Sequence, residues 1–202
     1  MGGNVVRSRW RPKLLSFVVA ALVCGGAALE LGAQQPPKPS GRVALGGGSG
    51  SPGDSLVVPV YFTPPEETQI GHLKIAINFV SANLKFKKVG KGIAAEMNDV
   101  DVTSDEKTDK NDKGVEVSTV TVTASVPPGD GSKKGIAGGL LAYLTMDISK
   151  TARPAIITLR TSAEATETGT SKKLGPVETA DAKIVVITAE DKPLTDCFFF
   201  SH

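Results

Sequence analysis

Two histidines, two cysteines and one tryptophan are all that 202 residues supply of three reactive or strongly stacking side chains. With only Cys24 and Cys197, a disulfide-rich scaffold is excluded, and the lack of a glycine period excludes a collagen-like rod. Charge of one sign is lacking too. The first 33 residues hold four of the 23 basic side chains (Arg7, Arg9, Arg11, Lys13) and one of the 21 acidic ones (Glu30), so the remainder carries 19 against 20, a net of −1. A near-neutral body offers no electrostatic footing for nucleic acid or an anionic membrane surface. Helical spacing is missing as well. Past the N-terminus no 12-residue window repeats its apolar positions at a helical period, leaving at most a turn at Ser81–Asn83 and a short helix over Ile93–Met97.

What is present begins with an export signal over residues 1–33. A basic segment ending at Lys13 runs into an apolar stretch, Leu14 to Val23, broken only by Ser16, and then into Gly25, Gly26, Ala27 and Ala28. A membrane-spanning helix needs roughly 20 apolar residues, so the stretch is short for one. Cleavage fits after Ala28 or after Ala33. It would remove Cys24 and leave Cys197 without an intramolecular partner, so packing alone must hold the domain. Residues 34–41, with three prolines, read as an extended linker, and 42–188 as one domain large enough to bury a core. Residues 189–202 read as a flexible tail ending in Phe198, Phe199 and Phe200. The product is expected in the periplasm, on the cell surface or outside the cell.

Within 42–188 period two dominates. Leu56, Val58, Val60 and Phe62 share a face. Leu73, Ile75, Ile77 and Phe79 share another, with His72, Lys74, Ala76 and Asn78 pointing the opposite way. The longest alternation joins Leu140, Ala142, Leu144, Met146 and Ile148. Val120, Val122, Ala124 and Val126 alternate after Val115 and Val117 of the other parity, which suggests a bulge near Ser118 or a strand covered on both sides. Leu84 with Phe86, Ile157 with Leu159, and Lys183–Ile187 complete the set. Turn residues separate these runs: Ser51-Pro52-Gly53-Asp54, Pro127-Pro128-Gly129-Asp130-Gly131 and Gly138-Gly139. Pro59 inside a strand predicts an edge or a bulge, because it cannot donate to the ladder. The pattern is all-β, a sandwich or barrel.

Catalytic chemistry finds little to build on. His72 is the one imidazole before the tail's His202, no Gly-x-Ser-x-Gly turn accompanies it, and a solvated surface residue explains it as simply. Glu66 and Glu67 sit beside Pro64 and Pro65 in what reads as a polar loop. Gly129 to Lys134 has the wrong spacing to cradle a phosphate. The acidic stretch Asp99–Asp112 invites a calcium loop. Lys113, however, stands where an oxygen ligand belongs, and Val120 where a bidentate glutamate belongs, so a mobile mixed-charge loop without metal is expected. No cofactor and no small-molecule substrate is implied.

Taken in order, the pieces resemble the cohesin domain, a nine-stranded jelly-roll sandwich through which bacterial scaffolding proteins hold dockerin-bearing partners. Four stretches carry the likeness: Ser51 to Val60, with its Pro-Gly-Asp turn and Val-Pro-Val strand; Ile75 to Phe86; Gly139-Leu140-Leu141-Ala142-Tyr143-Leu144; and the closing segment Asp181–Thr188. The resemblance implies an all-β jelly-roll β-sandwich of about nine strands, and a non-catalytic interaction module linked to polysaccharide-degrading assemblies. The binding face it implies carries His72, Lys74, Ala76 and Asn78. Two departures stand out. Phe79-Val80 replaces the family's Tyr-Asp, and His72 and Lys74 occupy places where dockerin-binding members often have Asn and Asp. An ammonium in place of a carboxylate reverses the charge preference for a partner. A second reading is direct carbohydrate binding, since this architecture is close to that of carbohydrate-binding modules. Trp10 lies in the signal, so only the outward-facing Tyr61 and Tyr143 are available for stacking, a thin platform.

Overall fold

The computed structural model describes residues 40–127, 135–170 and 172–187. The export signal, most of the 34–41 linker, most of the Pro127–Gly131 turn and the 189–202 tail lie outside the described residues. The elements are β1 (Arg42–Leu45), β2 (Gly48–Gly50), β3 (Ser55–Thr63), β4 (Ile70–Val80), β5 (Leu84–Lys91), α1 (Ile93–Glu96), β6 (Asp101–Lys110), β7 (Glu116–Ser125), β8 (Gly139–Ile148), β9 (Ala155–Glu167), β10 (Glu178–Ala180) and β11 (Ala182–Val186). No helix among the described residues is long and apolar enough to cross a membrane.

Two sheets form. One has five strands in the order β10-β1-β3-β8-β5, the other six in the order β2-β11-β9-β4-β7-β6. The first segment changes sheet between β1 and β2, at Gly46 and Gly47, and the last does so at Asp181, between β10 and β11. The two segments run parallel to each other in both sheets, β1 beside β10 and β2 beside β11. Counted as one strand each, they reduce the eleven elements to the nine expected. Between the sheets the inward residues of each alternation meet. Val58, Val60 and Phe62, Leu73, Ile75 and Ile77, Leu144, Met146, Leu159 and Ile184 form one contiguous core. Each such side chain contributes about 1.5–3 kcal/mol on leaving water.

The Pro-Gly turn is fastened to the far end of β8. Asp54 Oδ2 accepts from the Ser51 N–H at 2.7 Å, the Gly53 N–H reaches the Ile148 carbonyl at 3.1 Å, and the Ile148 N–H reaches Asp54 at 2.9 Å. Gly53 has φ +90°, a backbone conformation side-chain-bearing residues rarely adopt. Pro59 is not on an edge strand, because β3 runs between β1 and β8. It stands where β1 has already ended. Gly46 donates its N–H to the Pro59 carbonyl at 2.8 Å, and a Cβ on Gly46 would meet the proline ring at 2.5 Å. The missing donor is thus tolerated inside the sheet, and a bulge follows one residue later, between Val60 and Tyr61.

That bulge corrects the alternation expected for β8. Val60 pairs with Ala142 and Tyr61 with Leu140, so Leu141 is the extra residue and turns fully into the core, 0% exposed. Leu140 instead shares the outer side with Tyr61 and is only half-buried. The bulge foreseen near Ser118 does not form. β7 pairs with β4 and with β6 without a shift, and Ser118 itself takes the inward place, 1% exposed. Its hydroxyl can be buried because it is hydrogen-bonded to the Thr108 hydroxyl at 2.8 Å.

The stretch expected as a mobile mixed-charge loop is largely the edge strand β6, paired along its length with β7. Asn111 Oδ1 closes the hairpin by accepting from the N–H groups of Lys113 and Val115, both at 3.0 Å, with Gly114 at φ +72°. Nearly every β6 side chain is exposed. Only Val102 packs, in part, against the core. An edge strand can therefore carry a polar sequence without burying charge, and such charges discourage edge-to-edge pairing with other chains.

Candidate functional site

The outward residues of β4 project from the middle of the six-stranded sheet, and register fixes their neighbours. His72 lies between Ser125 and Thr166, Lys74 between Thr123 and Glu164, Ala76 between Thr121 and Ser162, and Asn78 between Thr119 and Arg160. Beyond β7, the edge strand adds Asp101, Thr103, Asp105 and Lys107 to the same rows. His72 and Lys74 are exposed, while Ala76 and Asn78 are half-buried. The Thr119 hydroxyl donates to Asn78 Oδ1 at 2.6 Å, which pins the amide and leaves its NH₂ for an outside acceptor.

The face is polar and bipolar. Its centre carries Lys74 and Arg160, and its β6 edge Asp101, Asp105 and Asp109. Glu164, beside Lys74, is bonded to Lys173 at 3.4 Å, and Asp101 to Lys91 at 3.2 Å. No aromatic residue occupies an outward place on β4, β6, β7 or β9. At the end nearest Val80, the exposed Ile156 and Val185 pair with each other.

His72 does have a serine beside it, but the row runs Asp101–Ser125–His72. The carboxylate lies beyond the serine rather than behind the imidazole, so it cannot orient His72 as a base. Glu66 and Glu67 lie in the exposed connection between β3 and β4. Among the described residues, no three of His, Cys, Asp and Glu come together as metal ligands. Asn111, within the stretch that invited a calcium loop, spends its side-chain oxygen on the turn.

The two tyrosines lie on the other sheet. Tyr143 of β8 stands across from Pro59, and Tyr61 of β3 is two residues along from that proline, across from Leu140. They are 37% and 46% exposed, and Val57 beside them is 55% exposed. The structure therefore brings Tyr61 and Tyr143 together and places them on the opposite outer face from His72, Lys74 and Asn78. In the rows next to them, Ser55 donates its hydroxyl to Asp147 Oδ1 at 2.6 Å and Lys87 Nζ lies 3.2 Å from Oδ2. First the Ser55 hydrogen bond, then that of Lys87, holds the Asp147 carboxyl below its ordinary value of 3.8.

Sequence reading missed Arg160, Ser162 and Glu164 and the aspartates of β6, all of which share the His72–Lys74 face. Alternation places each of them on its own strand. That β9 and β7 flank β4 is decided by pairing between stretches distant in the chain, Asn78 with Thr119 on one side and with Arg160 on the other.

No protein-family model and no curated protein matches the sequence. Solved structures do. The chain is similar to the third cohesin ScaC of Acetivibrio cellulolyticus, solved in complex with the ScaB dockerin. They share 22% identity, covering 73% of this chain and 99% of that one, with a TM-score of 0.56. It is similar to the seventh ScaB type I cohesin of Pseudobacteroides cellulosolvens at 19% identity, covering 82% and 100%, with a TM-score of 0.53. A non-cellulosomal cohesin from the hyperthermophilic archaeon Archaeoglobus fulgidus aligns at 16% identity over 75% and 94%, with a TM-score of 0.51. With its two sheets, its sheet-switching end segments and these neighbours, the body of this chain is a β-sandwich of the cohesin fold.

Proposed function

We propose that the chain is an exported, non-catalytic module that binds a protein partner through the outer face of β9, β4, β7 and β6. One observation carries the reading: on a cohesin-fold sandwich, this four-strand face is broad, polar and free of aromatics, with Lys74 and His72 exposed at its centre. Hydrogen-bonding side chains on a flat sheet suit a folded protein surface better than a stacked sugar. Several similar cohesins were solved with dockerins, so a dockerin-type protein is the partner class. Its docking surface should present carboxylates over Lys74 and Arg160 and cations over Asp105 and Asp109, the reverse of a partner chosen by an acidic centre. In this reading residues 1–33 export the module to the periplasm, the cell surface or the outside, and the polysaccharide-degrading setting is what the cohesin resemblance implies.

The test is capture from the secreted proteins of the source organism with this chain as bait. A partner retained by the wild type should be lost with Lys74→Asp combined with His72→Ala and kept with Tyr143→Ala. If every captured protein survives the double substitution, the face is wrong. N-terminal sequencing of the exported product should begin at Leu29 or Gln34; a product still carrying Met1 would overturn the cleaved signal.

A further inference from the structure

We infer that the outer face of the five-stranded sheet is a second binding site, for a single chain of acidic polysaccharide, independent of the protein-docking face. Val57, Pro59 and Tyr61 occupy successive outward places on β3, and Tyr143 and Leu140 face Pro59 and Tyr61 from β8. These are interior strands, so the apolar strip lies mid-sheet and not at a frayed edge. It is two strands wide, about 5 Å between strand axes, and runs about 13 Å from Val57 to Tyr61 at the usual rise per residue. A strip this narrow is far below the roughly 800 Å² per partner that a stable protein interface buries. It matches the width of one polymer chain and the length of two or three pyranose rings. The two tyrosines offer ring faces for the apolar side of a sugar and hydroxyls for its edge.

Charge selects the class of sugar. Next to β8 runs β5, whose Lys88 pairs with Thr145 and Lys85 with Asp147 on this same outer side, with Gly90 alongside Tyr143. Asp147 is already engaged by Ser55 and Lys87. Lys85 and Lys88 are exposed, and neither makes an ion pair among the described residues. Two unneutralised ammonium groups along the border of an aromatic strip favour a chain bearing carboxylates, such as a polyuronate, over a neutral glucan.

Affinity electrophoresis of the full chain tests this, with polygalacturonate or neutral hydroxyethylcellulose cast in the gel. Retardation is expected with polygalacturonate only. Tyr143→Ala should weaken it at least tenfold, as should Lys85→Gln with Lys88→Gln, while Tyr143→Phe, which keeps the ring, should retain most of it. Circular dichroism melts confirm that each variant is folded. Absence of retardation overturns the inference, as does retardation that survives Tyr61→Ala with Tyr143→Ala, which would mark general ion exchange. Equal retardation by the neutral polymer overturns the acidic class. Sedimentation with phosphatidylserine vesicles that the same substitutions abolish would assign the face to a lipid surface instead. Protein capture through the opposite face is read separately and should not respond to Tyr143→Ala.

Discussion

On the six-stranded sheet, the side chains turned away from the core are mostly polar or charged, threonine, serine, lysine, histidine and aspartate among them, with Ile156 and Val185 apolar at one end. On the five-stranded sheet, the central ones are valine, proline and tyrosine with a lysine border. Beneath both faces lies the same kind of interior, built by the same alternation of valine, isoleucine and leucine. Inward residues are constrained by close packing, which admits few side chains. Outward residues are constrained by almost nothing structural, so a difference between the two outer faces reports what each face meets. A hydrogen-bonding plain and a narrow aromatic strip are suited to different classes of partner, a folded surface on one side and a single polymer on the other.

The comparison can be broken at several points. The largest effect is expected at the β8 bulge, which gives the aromatic strip its shape by turning Leu141 in and leaving Leu140 beside Tyr61. Leu141→Ala should cost about 2–5 kcal/mol in denaturant unfolding, against under about 1 kcal/mol for Leu140→Ala. Equal costs would mean that the bulge is not where the pairing puts it. Next comes the polar face, where Lys74→Asp with His72→Ala should cut partner capture at least tenfold, about 1.4 kcal/mol, with the melting midpoint nearly unchanged. A fall in melting temperature of many degrees would show those residues to be structural.

A smaller effect is expected behind the acidic edge. Thr108→Ala strips the partner from the buried Ser118 hydroxyl and should cost about 1–2 kcal/mol, whereas Thr103→Ala on the outer side should be nearly neutral. The smallest lies beside the strip. Because the Asp147 carboxyl titrates below 3.8 when folded, its contribution is present at neutral pH and fades as pH falls through that depressed value. Ser55→Ala should raise its midpoint toward 3.8 in an NMR titration, and an unmoved midpoint would show the Ser55 hydrogen bond to be idle in solution.

Much of this was legible beforehand, for a physical reason. Alternation is local, so Val58, Ile75, Leu144 and their neighbours declare their inward side without reference to any other strand, and Pro52-Gly53-Asp54 declares its turn through backbone preferences of three residues. Three readings failed where a partner strand mattered. Ser118 looked like a break in parity because its burial depends on Thr108, ten residues earlier. Leu140 looked like core because a bulge is set by how two strands align. The Asp99–Asp112 stretch looked like a loop because an exposed edge strand need not bury either face. Of the candidate site, His72, Lys74 and Asn78 could be placed on one side of one strand, but Arg160, Glu164 and Asp105 could not be joined to them.

The amino-acid order alone determined that strands form, which side of most of them is apolar, and that the domain is held neither by long helices nor by disulfides. Those properties follow from side-chain period and composition within a few residues. Tertiary structure decided which strands lie side by side, where the end segments change sheets, and therefore that Lys74 of β4 stands across from Glu164 of β9 and Asn78 from Arg160, while both tyrosines gather on the opposite face. Such neighbourhoods depend on hydrogen-bonded pairing between distant stretches, a choice made by the fit of the whole sandwich and not written in any single run of residues.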